Sequence, residues 1–404
     1  MRNLKILPPL FLLILTILVY RAWFILKPLS GGDYITFWPE NLKNYFNFPF
    51  SSWDHQIDLG WYIGALLHYA PYSLLMGLAG RVLNYNPVII ERLFWLFPFL
   101  GLSLFSSVCL FKTLFSKNNL WFFSSLIFLF NTYVLMMTGG GQVGGIGLAY
   151  AIAPLVLACF INSIKEISLK WSILSGIALA LQIMFDPRIT YITIGAIFLY
   201  ALFWCGRGFK KYLFIFGIPL LISLGLHFFW LLPSFLAKKP SLPVGYGEPG
   251  WVEFLSFARF SDSVSLLHPN WSENIFGKTY FFRPEFLILP ILAFSSLLFI
   301  NYSITNYELR IKKNVLFRQK QTYLFRQKQT CLFFALLAII GAFLAKGVNP
   351  PFRGVYLWLF ENIPGMNLFR DPTKFYLLVA LSYSVLIPFS VEQIYLYLRK
   401  KFNN

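Results

Sequence analysis

The chain has 404 residues, of which 57% are hydrophobic and only 12% charged, and it carries a formal net charge of +18. A water-soluble protein of this size needs far more polar surface, so the composition excludes a soluble globular enzyme and points to an integral membrane protein. The surplus of Lys and Arg reads as the cytoplasmic bias of membrane-protein loops; no nucleic-acid motif accompanies it, and nucleic acid is not expected as a partner.

The first predicted element is an apolar span over 6–26, an uncleaved anchor with Arg21 reaching the outer headgroups. An outer loop, 27–87, follows and opens with "SGGDYITFWPEN". Asp33 falls a few residues past the span, near the membrane surface, where a carboxylate could act as general base on a hydroxyl. Gly31 and Gly32 permit close approach of a ligand, and Trp38 offers a flat face to a sugar ring or headgroup. Glu40, Asp54 and Asp58 are supporting candidates in the same loop, or else solvated loop charges. The stretch 61–80 is apolar enough to be considered as a span. If it crossed, "GRGFKK" and the 304–330 loop would move to the acidic side, so it is read as an interfacial helix.

Further spans are expected over 88–111, 119–138, 146–164, 171–186, 189–205 and 212–235. Between them, "GGGQVGG" is a glycine cluster able to form a backbone nest for phosphate or simply a flexible turn. "MFDPRITY" sets Asp186 and Arg188 between two spans with almost no loop, where the two pair with each other or line a phosphate or sugar site. The outer loop 236–285 contributes Glu248 and Glu253 as candidate second carboxylates, while His268 stands alone and makes no metal site. A span over 286–303 leads to a basic inner loop, 304–330, with the tandem repeat "LFRQKQTY"/"LFRQKQTC"; this is an anionic-lipid patch or a tolerated duplication. A span over 331–346, an outer loop over 347–374 and a last span over 375–397 complete the chain, about ten spans in all. At the last boundary "NLFRDPTKF" offers Arg370 and Lys374 to a lipid phosphate, with Asp371 and Pro372 as a helix start.

This layout places the basic loops on one side and both termini in the cytoplasm, with nearly all remaining acids on the outer face of the cell membrane. Cys109, Cys159, Cys205 and Cys331 read as small apolar fillers. There is no HExxH, dinucleotide fingerprint or Ser-His-Asp order, and no metal ligand set.

The early Asp33, the interfacial run after it, "GGGQVGG" and "LFRDPTKF" resemble the GT-C class of membrane glycosyltransferases, and more narrowly the N-terminal domain of alpha-(1→3)-arabinofuranosyltransferases and related YfhO-like proteins. The resemblance implies an all-α, polytopic, GT-C-like fold: a single membrane domain over 1–404 with about ten transmembrane helices and outer-face interfacial helices. It also implies a hexosyl- or pentosyltransferase that moves a sugar from a polyprenyl-phosphate donor to a cell-surface glycan or lipid-linked acceptor. Asp33 then takes the catalytic base role, Glu248 or Glu253 supplies a later acid, and Arg370 and Lys374, with Arg188, meet the donor phosphate. The lipid-linked sugar is the donor and no other cofactor is required; a divalent metal is compatible with the scheme but nothing demands one. Rival expectations are a flippase of lipid-linked saccharide precursors and a noncatalytic scaffold.

Overall fold

The computed structural model describes residues 7–29, 36–48, 50–51, 53–54, 61–62, 64–115, 120–139, 142–205, 209–236, 247–269, 284–308 and 314–402. In chain order the α-helices are α1 (Leu7–Val19), α2 (Pro39–Asn47), α3 (Ala70–Val82), α4 (Pro87–Glu91), α5 (Phe97–Leu114), α6 (Trp121–Leu129), α7 (Thr132–Gly139), α8 (Leu148–Glu166) and α9 (Leu169–Phe185). They continue with α10 (Pro187–Cys205), α11 (Phe209–Leu226), α12 (Phe228–Leu236), α13 (Pro249–Leu255), α14 (Phe260–Val264), α15 (Ile288–Glu308), α16 (Asn314–Ala345), α17 (Arg353–Asn362) and α18 (Tyr376–Phe402). Among the described residues the extended pairing is one short antiparallel ladder, β1 (Trp53–Asp54) with β2 (Trp61–Tyr62), in register Trp53 to Tyr62 and Asp54 to Trp61.

Among the described residues, five helical stretches are long and apolar enough to cross a membrane: Pro87–Leu114, Val143–Glu166, Pro187–Trp204, Arg326–Ala345 and Pro372–Phe402. The number rises to seven if two broken pairs, Trp121–Leu129 with Thr132–Thr138 and Ile215–Leu226 with Phe228–Leu236, each count as one span. Three further expected spans coincide with shorter apolar helices, Pro8–Val19, Leu169–Phe185 and Pro284–Phe299. Large apolar side chains lie on the surface of these helices, among them Leu18, Leu221, Phe235, Ile291 and Leu298. Wetting such a surface would cost about 25 cal/mol per Å². The architecture is compatible with a helical membrane protein, in which backbone groups bond within helices because the surroundings offer no partner.

The segment 304–330 departs from the expected loop. Its described residues are helical, as the end of α15 and the first half of α16. Local propensity permits this, since the repeat has no Gly or Pro and Leu, Arg, Gln and Lys are all good helix formers, and the repeat runs on without a break into the apolar half of α16.

The chain divides into two compact units, Met1–Ser106 with Val134–Tyr246, and Ser107–Tyr133 with Gly247–Asn404. In the first, α8 is buried over nearly its whole length and α9 packs between α8 and α11. Two π-helical turns, Arg92–Leu96 and Val143–Gly147, meet where Gly144 lies against the Trp95 indole. In the second unit α18 is the buried axis, contacted by α6, α15 and α16. Phe115 stacks on Phe389 at 5.3 Å, and Tyr376 and Tyr383 donate hydrogen bonds to the carbonyls of Leu267 (2.6 Å) and Val264 (2.5 Å).

The glycine of "GGGQVGG" at 144 therefore has a packing reason: a Cβ there would overlap the Trp95 ring. Gly144→Ala is expected to lower stability by about 1–3 kcal/mol, as overpacking of a dense interior does. Thermal unfolding of the detergent-solubilised protein checks this, with Gly145→Ala, whose Cβ meets nothing closer than 3.6 Å, as the tolerated control.

Candidate functional site

The site begins in the first unit with a buried ion pair. Glu91 and Arg92 are 1% and 6% exposed and bond to each other. A buried pair in apolar surroundings is tolerable only if its remaining hydrogen-bonding capacity is also met. Arg92 meets it by donating Nε–H to the carbonyl of Trp23 (3.0 Å) and Nη2 to those of Ile25 and Lys27 (2.8 Å each). Glu91 accepts the backbone N–H of Leu29 through both carboxylate oxygens, at 3.2 and 3.0 Å. The chain leaving α1 is thus gripped from Trp23 to Leu29 by two adjacent side chains.

Asp33 follows four positions on, outside the described residues, as does Asp58. The loop is caught again on its far side. Phe37, 1% exposed, sits edge-on against Trp95 with ring centroids 4.5 Å apart. Both ends of the Asp33 loop are therefore anchored to the stretch Glu91–Trp95. Trp38 and Glu40 are exposed at the start of α2, and Asp54 lies in β1 opposite Trp61.

From Trp95 a chain of contacts leads onward within the same unit. The indole Nε1–H donates to the Tyr69 hydroxyl (3.1 Å), and Tyr69 and Tyr72 both pack edge-on against Phe185. The next residue, Asp186, caps α10: Oδ1 accepts the backbone N–H of Arg188 (2.8 Å) and Ile189 (3.3 Å). Both carboxylate oxygens also receive the Arg188 guanidinium, at 3.1 and 2.7 Å. Asp186 is buried, whereas the Arg188 side chain remains 31% exposed. Two histidines stand nearby. His68 Nδ1 lies 3.0 Å from the Met184 carbonyl and its ring meets Trp230 edge-on. Burial holds the His68 imidazole below its usual range, and the charges of Asp186 and Arg188 act on it in opposite senses. His227 occupies the 74° break between α11 and α12, with Nε2 at 2.8 Å from the Ala180 carbonyl and Nδ1 accepting from Trp230 (2.7 Å). Beside these groups an apolar groove of about 490 Å³ is lined by Phe50, Leu67, Pro71, Phe229 and Pro233.

The second unit holds the remaining candidates. Glu248 is exposed at the N-cap position of α13. Glu253 pairs with Arg353 on the surface, an exposed ion pair of small energetic value. Arg370 lies over the Trp251 ring at 5.2 Å. Lys374 is buried and donates to Asp371 Oδ2 at 2.8 Å, so its charge is spent within the "RDPTK" turn. Asp371 Oδ1 accepts from the Thr373 backbone (3.1 Å) and hydroxyl (2.5 Å), which is the expected cap. Burial alone would raise the Asp371 carboxyl, but the Lys374 ammonium and the Thr373 hydrogen bonds hold it down at about 2.

Sequence reasoning gave no structural role to three groups in the two units. His268 is fully buried between the rings of Tyr133 and Tyr376, close to the backbone of Pro269 but with no hydrogen-bond partner for either ring nitrogen among the described residues. Burial pushes its imidazole down to about 4, against the pull of Asp371. Lys346, with no exposed surface, ends α16 by donating to the carbonyls of Gly347 (3.0 Å) and Asn349 (2.6 Å). The Glu91–Arg92 clamp is the third. Its only sequence signal was an acid and a base side by side within an apolar run. Among the described residues no three His, Cys, Asp or Glu side chains come together as a metal site. Comparison with family models, curated proteins and solved structures finds no match.

The Asp371–Lys374–His268 cluster makes stability depend on acid. His268 is held neutral, so the unfolded chain gains a proton first. Stability should fall as pH drops from about 6.5 to about 4. Asp371 is held ionised, so its contribution is lost between its ordinary pKa and about 2. Lys374→Met strands the Asp371 carboxylate and should cost about 3–5 kcal/mol at neutral pH. It should also reverse the Asp371 contribution to the Tm-against-pH curve: burial alone raises the carboxyl, so the variant regains stability as pH falls and the carboxylate is protonated. Asp371→Asn with Lys374→Met should recover part of the loss.

Proposed function

We propose that the protein is a GT-C-type membrane glycosyltransferase that moves a sugar from a polyprenyl-phosphate donor to a glycan or lipid-linked acceptor on the outer face of the cell membrane. The observation that carries this reading is the anchoring of both ends of the Asp33 loop on Glu91–Trp95, in the unit that also holds the Asp186–Arg188 pair and the apolar groove. A general base contributes only if it is held within hydrogen-bond reach of the acceptor hydroxyl, and the residues on either side of the Asp33 segment, Leu29 and Phe37, are held on Glu91–Trp95.

In the proposed reaction the acceptor hydroxyl gives its proton to the Asp33 carboxylate as its oxygen attacks the anomeric carbon. The bond from that carbon to the phosphate oxygen breaks, and the lipid phosphate leaves with the electron pair. Arg188, partly exposed and oriented by the buried Asp186, stabilises the departing charge. The groove lined by Phe50, Leu67, Pro71, Phe229 and Pro233 takes the apolar end of the carrier. Lys374 is a weaker phosphate candidate than Arg370, since Asp371 already neutralises it. Sidedness follows from the loop bases, which set both termini in the cytoplasm.

Glycan composition of a deletion strain complemented with wild type, Asp33→Ala or Arg188→Gln tests the proposal. Asp33→Ala should lower sugar transfer by about 10²–10⁴-fold, the range of a lost general base, while protein level and membrane insertion stay at the wild-type value. Full rescue by Asp33→Ala would remove the catalytic claim. Arg92→Leu, which releases the carbonyls of Trp23, Ile25 and Lys27, should reduce transfer and stability together.

A further inference from the structure

The tandem repeat, read from sequence as an anionic-lipid patch or a tolerated duplication, gains a structural setting once α16 is seen as one helix. The apolar window Arg326–Ala345 continues without a break back to Asn314, so both copies of "LFRQKQT" belong to the end of an apolar helix. That end carries Arg318, Lys320, Arg326 and Lys328, and α16 contains no acid. Arg326 and Lys328 are exposed.

The partner helix brings more charge to the same level. Gly341, near the end of α16, touches Leu378 and Val379, near the start of α18, and the two helices pack along one another. They must therefore run antiparallel. Lys320 precedes Gly341 by as many residues as Arg399 follows Leu378. At 1.5 Å per residue both lie about 32 Å from that crossing. Arg399, Lys400 and Lys401 are exposed there, at the end of α18. Around them Tyr395, Leu396, Tyr397, Leu398 and Phe402 are 41–76% exposed. On α15, α16 and α18 the acids are Glu308 and Glu392, far outnumbered by these bases.

We infer that this end of the second unit is a polybasic collar that docks the headgroups of anionic phospholipids. A cluster of Lys and Arg at the end of apolar helices attracts negative lipid headgroups, each base adding to the binding. Exposed Tyr, Leu and Phe at the same level suit the boundary between headgroups and acyl chains, and they argue for a bilayer rather than a nucleic acid. The inference stands apart from the glycosyltransferase reading and does not use its site.

The test is lipid selectivity of the full chain. Wild-type protein, purified in mild detergent, is mixed with phosphatidylglycerol and phosphatidylcholine and scored for retained lipid by native mass spectrometry. Phosphatidylglycerol should be enriched, and the enrichment should fall about fivefold for each base replaced by Gln among Arg318, Lys320, Arg399, Lys400 and Lys401. Exchanging Lys for Arg at the same positions, which keeps the charge, should leave it intact. Lys165→Gln with Lys170→Gln, in the other unit, should have no effect. Raising salt to 0.5 M should weaken the wild-type preference, a measurement that needs no variant to fold. Equal retention of the two lipids by wild type overturns the inference, as does binding of the collar to heparin or RNA without lipid selectivity.

Discussion

In this chain a charge placed among apolar helices has no water to satisfy it, so each one must be met by another charge or by backbone. That constraint explains most of the irregular structure. Arg92 holds three carbonyls, Glu91 a backbone N–H, Asp186 two backbone N–H groups and a guanidinium, and Asp371 an ammonium and two donors from Thr373. Lys346 reaches two carbonyls where α16 stops. In each case the charged side chain sits where a helix begins, ends or changes pitch. Those are the places where free backbone groups are available.

The same economy sets the geometry of the first unit. A helix from Pro87 to Leu114 cannot be regular throughout, because Arg92 and Trp95 must both reach the chain that follows α1. A π turn over Arg92–Leu96 widens the helix there, and a second π turn, Val143–Gly147, leaves room for the indole against Gly144. Trp95 then joins four features through side-chain contacts: Phe37 beyond the Asp33 loop, Tyr69 before α3, the glycine turn before α8 and, through Tyr69, Phe185 beside Asp186.

Parts of the site were legible in the residues themselves. Asp186 and Arg188 in a loopless junction pointed to a local pair or to a phosphate or sugar site, because little else can satisfy a carboxylate at that depth; the structure shows the pair. Asp371 before Pro372 predicted a cap for the same reason. Lys374 was less legible. Its nearness to Asp371 in sequence was visible, but whether the ammonium turned inward to the carboxylate or outward to a phosphate depended on the burial of the turn. His268 looked isolated because its neighbours Tyr133 and Tyr376 are far away in sequence.

What the sequence determined by itself was the set of apolar helices and where most of them stop. Long runs without charge must be helical when no solvent can pair with the backbone, and Asp-Pro and Asn-Pro steps end or begin them by sterics and capping. What only the tertiary structure decided was the partner of each buried polar group and the state of the polar repeat. Glu91 and Arg92 bind residues more than sixty positions away, a choice made by how α1 and the Pro87–Leu114 helix come together. The repeat over 316–331 has good helix propensity but no apolar period of its own. Only its continuity with the packed half of α16 turns that propensity into helix.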